Sequence, residues 1–91
     1  MKVIVQGAGV VGRPTGMILE RAGHQVSYHD PALELVATEP ADVCVVCCPC
    51  IDGMLPDVLC PANEYVVRST VLPAAFDALP VDKRYHWPEF L

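Results

Sequence analysis

Residues Lys2-Val-Ile-Val-Gln-Gly-Ala-Gly-Val-Val-Gly12 decide how this chain folds. Val3, Ile4 and Val5 form the unbroken apolar run that a parallel strand buried on both faces carries. That run passes directly into G-x-G-x-x-G. Gly7 permits a tight exit from the strand, Gly9 lets the backbone approach a pyrophosphate, and Gly12 lets a helix lie close to the sheet. The helix that follows offers unpaired N–H groups and a positive dipole end to phosphate. A second apolar run then ends in Asp30, 18 residues beyond Gly12, where a carboxylate meets a ribose 2′-hydroxyl. Strand, glycine turn, helix, strand and acid in this order predict a dinucleotide site formed by Gly7, Ala8, Gly9, Val10, Val11, Gly12 and Asp30. Asp30 selects NAD over NADP, because it accepts ribose hydroxyls and repels a 2′-phosphate.

Outward from this unit, strands and helices alternate. The spacing predicts a helix over Val10–Ala22, with Val10, Val11, Pro14, Met17, Ile18 and Ala22 as its apolar face and Gly23 closing it. Pro14 fits the first turn, where backbone N–H groups have no partner. Gln25–His29 reads as the second strand, and a helical turn over Ala32–Ala37 follows it. Ala41–Cys48 is the third strand, Tyr65–Ser69 the fourth and Arg84–Trp87 a fifth. Residues 51–62 leave room for two helical turns at Gly53–Leu59, and Ala74–Leu79 is a short helix. Alternation of this kind predicts an α/β domain over residues 1–91, with a minimal doubly wound parallel sheet of the Rossmann type. Its five strands take the order 2-1-3-4-5, with right-handed crossovers.

Composition narrows the function. A net charge of −5 with six scattered Lys and Arg supplies no basic patch for nucleic acid and no polybasic membrane signal. No segment has the apolar length of a transmembrane helix, and the first apolar run ends in the glycine motif, unlike a signal peptide. The expected location is therefore cytoplasmic. At 53% hydrophobic and 19% charged, the chain is more apolar than a small monomer needs. A homodimer or a second protein chain is the expected partner.

Five cysteines, Cys44, Cys47, Cys48, Cys50 and Cys60, include two C-x-x-C spacings. Cys44 and Cys47 fall in an apolar strand and project to opposite faces, so they cannot share a metal ion. The odd count argues against a disulfide framework, and the cysteines read as small buried hydrophobes. No metal site is expected. His24 reads as a helix-end residue, His29 and His86 as structural strand residues, and Arg13 as a solvated helix position.

Four segments together resemble the UDP-glucose/GDP-mannose dehydrogenase family, in its N-terminal NAD-binding domain. They are Gly7-Ala-Gly-Val-Val-Gly12 through Glu20-Arg-Ala-Gly-His-Gln-Val26 to Asp30, then Ala41-Asp-Val-Cys-Val-Val-Cys-Cys-Pro49, Val66-Val-Arg-Ser-Thr-Val71 and Pro88-Glu-Phe-Leu91. The last two are the more specific, and the likeness covers nearly the whole chain in compressed form. Family members oxidise a sugar-nucleotide alcohol to a carboxylate in two NAD-dependent steps through a covalent thioester. The resemblance implies that Cys48, Pro49 and Thr70 lie along the cofactor, and that Thr70 and Glu89 handle the catalytic water.

The chain also departs from the family pattern. Arg68 stands where the family has lysine, and Trp87 where it has asparagine. Leu72-Pro73-Ala74 takes the place of a glycine-containing turn, and the connections at 31–40 and 51–64 are short. The family's nucleophilic cysteine, catalytic lysine and sugar-nucleotide pocket belong to later domains, and none of the five cysteines takes the nucleophile's place. The sequence thus implies an NAD(H)-binding module without turnover of its own. The alternatives are a dehydrogenase subunit completed by another chain, or an interaction module that kept the fold.

Overall fold

The apolar run Val3–Val5 lies inside a five-stranded sheet in the computed structural model, which describes residues 1–48, 54–56, 58–69, 73–79 and 82–87. The strands are β1 (Lys2–Gln6), β2 (Gln25–His29), β3 (Ala41–Val46), β4 (Ala62–Val67) and β5 (Arg84–His86). Every pairing is parallel and the order is β2-β1-β3-β4-β5, so the fold is a minimal Rossmann-like α/β sheet. The order reverses between β1 and β3, the two strands buried most completely.

Alternation along the strands sends side chains to two separate cores. Val3, Val5, Val45 and Cys47 share one face with Val11, Leu19, Val26 and Tyr28. Ile4, Cys44 and Val46 share the other with Cys60, Leu55 and Leu59. Cys44 and Cys47 do lie on opposite faces, as the strand reading expects.

The first face is covered by helix α1 (Gly12–Arg21), shorter than the expected 10–22 and turned differently. Its buried residues are Gly12, Thr15 and Gly16, with Leu19 half-buried. Val10, Met17 and Ile18 are exposed, at 91%, 51% and 56%, and Pro14 and Ala22 are exposed too. The inward stripe is therefore the row of small residues at three- and four-residue spacing. A Cβ on Gly12 would fall on the carbonyl oxygen of Gly7, and one on Gly16 would fall on the Tyr28 hydroxyl. Close backbone approach outweighs the burial of larger apolar side chains here. Thr15 is tolerated inside because its hydroxyl donates to the Val11 carbonyl at 2.7 Å.

The second face is covered differently from the expected helix at Gly53–Leu59. The described residues 54–56 and 58–60 contain no helix. Gln6, 7% exposed at the end of β1, holds this segment. Its Nε2 donates to the Val58 carbonyl at 2.8 Å, and its Oε1 accepts the Cys60 N–H at 2.9 Å. Backbone groups that a helix would pair are thus taken by a side chain of the sheet, and Pro56 and Pro61 supply no N–H.

Smaller differences have local causes. β4 begins earlier than the expected Tyr65 because Ala41 donates to Pro61 at 3.1 Å and pairs with Ala62. Helix α2 (Pro73–Asp77) stops short of Leu79, and Arg84 Nη1 donates to the carbonyls of Phe76 and Leu79 at 3.4 and 3.1 Å. The turn after β2 is a 3-10 turn at Pro31–Leu33 rather than a helix through Ala37. Glu34 ends it in the left-handed region at φ 58°. Among the described residues no helix is long and apolar enough to cross a membrane.

Candidate nucleotide-binding site

The glycine turn is fixed by contacts that demand glycine at two of its three positions. Gly7 leaves β1 at φ +104°, and a Cβ there would lie 2.5 Å from the Cys48 backbone nitrogen. The turn therefore crosses directly over the end of β3. Gly12 is pressed onto Gly7, as described above. Gly9 differs: it is exposed, has no positive φ, and an added Cβ would meet nothing within 4 Å. The fold makes no demand for glycine at position 9.

Beyond Gly9 the start of α1 is open. Val11 occupies the N-cap position with no side-chain cap, and the first turn holds no acidic residue. Arg13 and Thr15 donate back to Gly9 and Val11 at 3.2 and 3.1 Å. The N–H groups of Gly9, Val10, Val11 and Gly12 have no acceptor among the described residues. An uncapped helix start of this kind presents donors and a positive dipole end to an anion.

Asp30 closes the other side. Its Oδ2 accepts the Ala8 N–H at 2.9 Å, so the carboxylate reaches across to the glycine turn from the end of β2. Its backbone is clamped by exchange with Leu35, with Asp30 N–H to Leu35 O at 2.8 Å and Leu35 N–H to Asp30 O at 3.1 Å. Oδ1 accepts no hydrogen bond among the described residues. One oxygen positions the group and the other is available to a ligand.

Between these elements lies a cleft of about 590 Å³ at the carboxyl ends of β1, β2 and β3, within the range of small-molecule sites. Gly7, Asp30 and Cys48 line it, together with Gln6, His29, Pro31 and the apolar Met54, Leu55, Pro56 and Val58. Ala8 joins it through Asp30, whereas Gly9, Val10, Val11 and Gly12 form the adjoining turn outside that lining. Pro49, Thr70 and Glu89, expected along the cofactor or at the catalytic water, lie outside the described residues, as does Cys50.

Two lining residues have structural roles that the sequence reading did not assign to this site. Gln6 sets the wall opposite Asp30 by holding Val58 and Cys60. The one signal for it is a polar residue at the end of an otherwise buried strand. His29 Nδ1 accepts the Ala37 N–H at 3.1 Å, which leaves the ring proton on Nε2 and secures the chain after the 3-10 turn. Ser69 ties the next loop to the site, its hydroxyl donating to the Cys48 carbonyl at 2.6 Å. Arg13 does not simply extend into solvent: its guanidinium lies 5.1 Å from the centre of the Tyr28 ring. Burial, and then the neighbouring Glu20 carboxylate, push the Tyr28 hydroxyl above its ordinary pKa, with Arg13 partly opposing.

Cys44, Cys47 and Cys60 belong to the core. Cys44 is fully buried and Cys60 nearly so, and burial pushes both thiols above their ordinary pKa, with Cys60 also raising Cys44. Neutral thiols are poor nucleophiles and poor metal ligands. Among the described residues no three of His, Cys, Asp and Glu are grouped to hold a metal ion. Comparisons with protein-family models, with curated proteins and with solved structures found no match to this chain.

Proposed function

We propose that this chain binds NAD(H) across the carboxyl ends of β1, β2 and β3, as the cofactor-holding half of a nicotinamide-dependent system. Gly9 carries the reading. Neither its own conformation nor any neighbour calls for glycine there, yet it stands where a pyrophosphate needs close access to the backbone. Three further observations support it. The N–H groups at the start of α1 lack acceptors, Asp30 keeps Oδ1 available beside the turn, and the cleft lies at the point where strand order reverses. In this reading the adenosine half lies between Asp30 and the apolar wall at Leu55, with the pyrophosphate over Gly9. The nicotinamide would supply hydride exchange; the protein's residues bind and orient it.

The resemblance to UDP-glucose/GDP-mannose dehydrogenases makes a sugar-nucleotide dehydrogenase the proposed context. Catalysis there would require the nucleophile and substrate pocket from elsewhere. A second reading, a dehydrogenase subunit completed by another chain, is favoured by one observation. Pro14, Met17 and Ile18 on α1, with Val10 just before it, form an outward apolar stripe.

The test is thermal unfolding with NAD or NADP. A ligand at 100 times its Kd stabilises by about 2.7 kcal/mol, which for a domain of this size raises Tm by roughly 10–20 °C. NAD should produce such a rise at concentrations where NADP produces little, and Asp30→Ala should remove the difference. Equal shifts from both, unchanged in Asp30→Ala, would contradict the assignment of Asp30 to the ribose.

A further inference from the structure

Arg68 is an unusual cation in this acidic chain. It follows β4 directly, and its backbone N–H donates to the Val46 carbonyl at 2.9 Å. Its guanidinium carbon lies 3.8 Å from the centre of the Trp87 ring, the closest cation–ring approach recorded among the described residues. Nε is buried and has no hydrogen-bond partner, and the side chain makes no ion pair or other hydrogen bond among the described residues. Arg84 shows the contrast. It lies on the neighbouring strand and donates to two carbonyls and to Asp77 at 3.4 Å. A guanidinium carries five N–H donors in a fixed plane, and leaving them unmatched in a partly buried place is unfavourable. Stacking on the indole fixes that plane, which prepares the fork for two parallel bonds to an oxyanion.

The position suits a ligand. Arg68 and Trp87 stand just past the ends of β4 and β5, on the same sheet edge as the cleft. Ser69 Oγ bonds the Cys48 carbonyl, so the loops after β3 and β4 are joined at that edge. From the end of β2 to the end of β4 is three strand spacings, about 14 Å. We propose that Arg68, held flat on Trp87, is a binding site for the carboxylate or phosphate group of a small-molecule ligand. This proposal stands apart from the nucleotide assignment, since none of its observations involves Gly9 or Asp30.

Trp87 is the only tryptophan in the chain, so its emission reports on this site directly. The experiment titrates inorganic phosphate and, separately, malonate into the full chain at constant ionic strength maintained with sodium chloride. The expected result is a saturable change in Trp87 emission with at least one of the two. Saturation by phosphate alone identifies a tetrahedral anion, and saturation by malonate alone a carboxylate. Arg68→Gln should weaken the apparent affinity at least tenfold. Arg68→Lys, which keeps the charge and the stem but loses the fork, should weaken it by a smaller factor and serves if the glutamine variant fails to fold. A response that chloride reproduces, or one that neither variant alters, overturns the proposal. So does the absence of any saturable emission change in the parent with either anion. NAD titration of the same samples reads the other site, so failure of one assignment is separable from failure of the other.

Discussion

Replacing Gln6 with methionine should unlock the wall of the cleft while leaving its volume nearly unchanged. Gln6 is 7% exposed and joins two main-chain groups of the β3–β4 connection, the Val58 carbonyl at 2.8 Å and the Cys60 N–H at 2.9 Å. Methionine fills similar space and can make neither bond. Cys60 is 5% exposed, so its stranded N–H carries the larger cost, about 1–3 kcal/mol. Val58 is 78% exposed, and its carbonyl can turn to water, which limits that loss to about 1 kcal/mol. The Cys44 thiol, 3.6 Å from Oε1, adds little. The sum is about 2–4 kcal/mol, out of a total stability of roughly 5–14 kcal/mol for a domain of this length. Far-UV circular dichroism should then show Tm lowered by about 10–25 °C. Amide exchange should show faster exchange at Cys60 before the sheet strands are affected. A variant melting within a few degrees of the parent, with Cys60 equally protected, would refute the assignment of Gln6 as the clasp of this segment.

Gly12→Ala should destabilise the fold by about 3 kcal/mol, because the new methyl meets the backbone of Gly7, whereas Gly9→Ala should change stability by less than about 0.5 kcal/mol. Paired urea unfolding curves check this, and equal losses at the two sites would contradict the geometry. Stability should also fall as pH rises above about 8.5, where the unfolded chain releases the Cys44 proton and the folded chain keeps it. The contribution of Cys44 is intact below that pH and declines by about 1.4 kcal/mol per pH unit until the folded thiol itself ionises. Cys44→Ala should flatten the decline between pH 7.5 and 9.5 in urea midpoints, and an equally steep decline would count against it. Met17→Glu on the exposed face of α1 should leave Tm within about 3 °C and abolish any self-association seen by sedimentation. Retained association would place the interface elsewhere.

What could be read from the chain depended on which interactions leave a periodic trace. The strands through Val3–Val5 and Val43–Val46 are continuous apolar runs, and alternation with helices implied a parallel sheet and its order. The glycine turn and Asp30 were legible as a spaced motif: close backbone contacts call for glycine at positions 7 and 12, and the structure brings Asp30 to the turn through the Ala8 N–H. The face of α1 was not legible. Apolar periodicity selects Val10, Met17 and Ile18, but the close approach of Gly12 to Gly7 selects the small-residue stripe, and a hydropathy pattern does not register a missing side chain. Residues 54–56 and 58–60 depart from the expected helix for a different reason. Leu55 and Leu59 have helical spacing, yet the backbone there is claimed by Gln6, a contact across more than 50 positions. The stack of Arg68 on Trp87 likewise joins residues from two strand ends that no local pattern connects.

The most direct test of the central claim is calorimetric titration of NAD into the parent chain and into Gly9→Val. The account predicts saturable binding to the parent and loss of binding in Gly9→Val, with the two proteins unfolding at similar temperatures because a Cβ at that position meets nothing within 4 Å. Undiminished NAD binding by a folded Gly9→Val, or no binding to the parent at millimolar NAD, would contradict it.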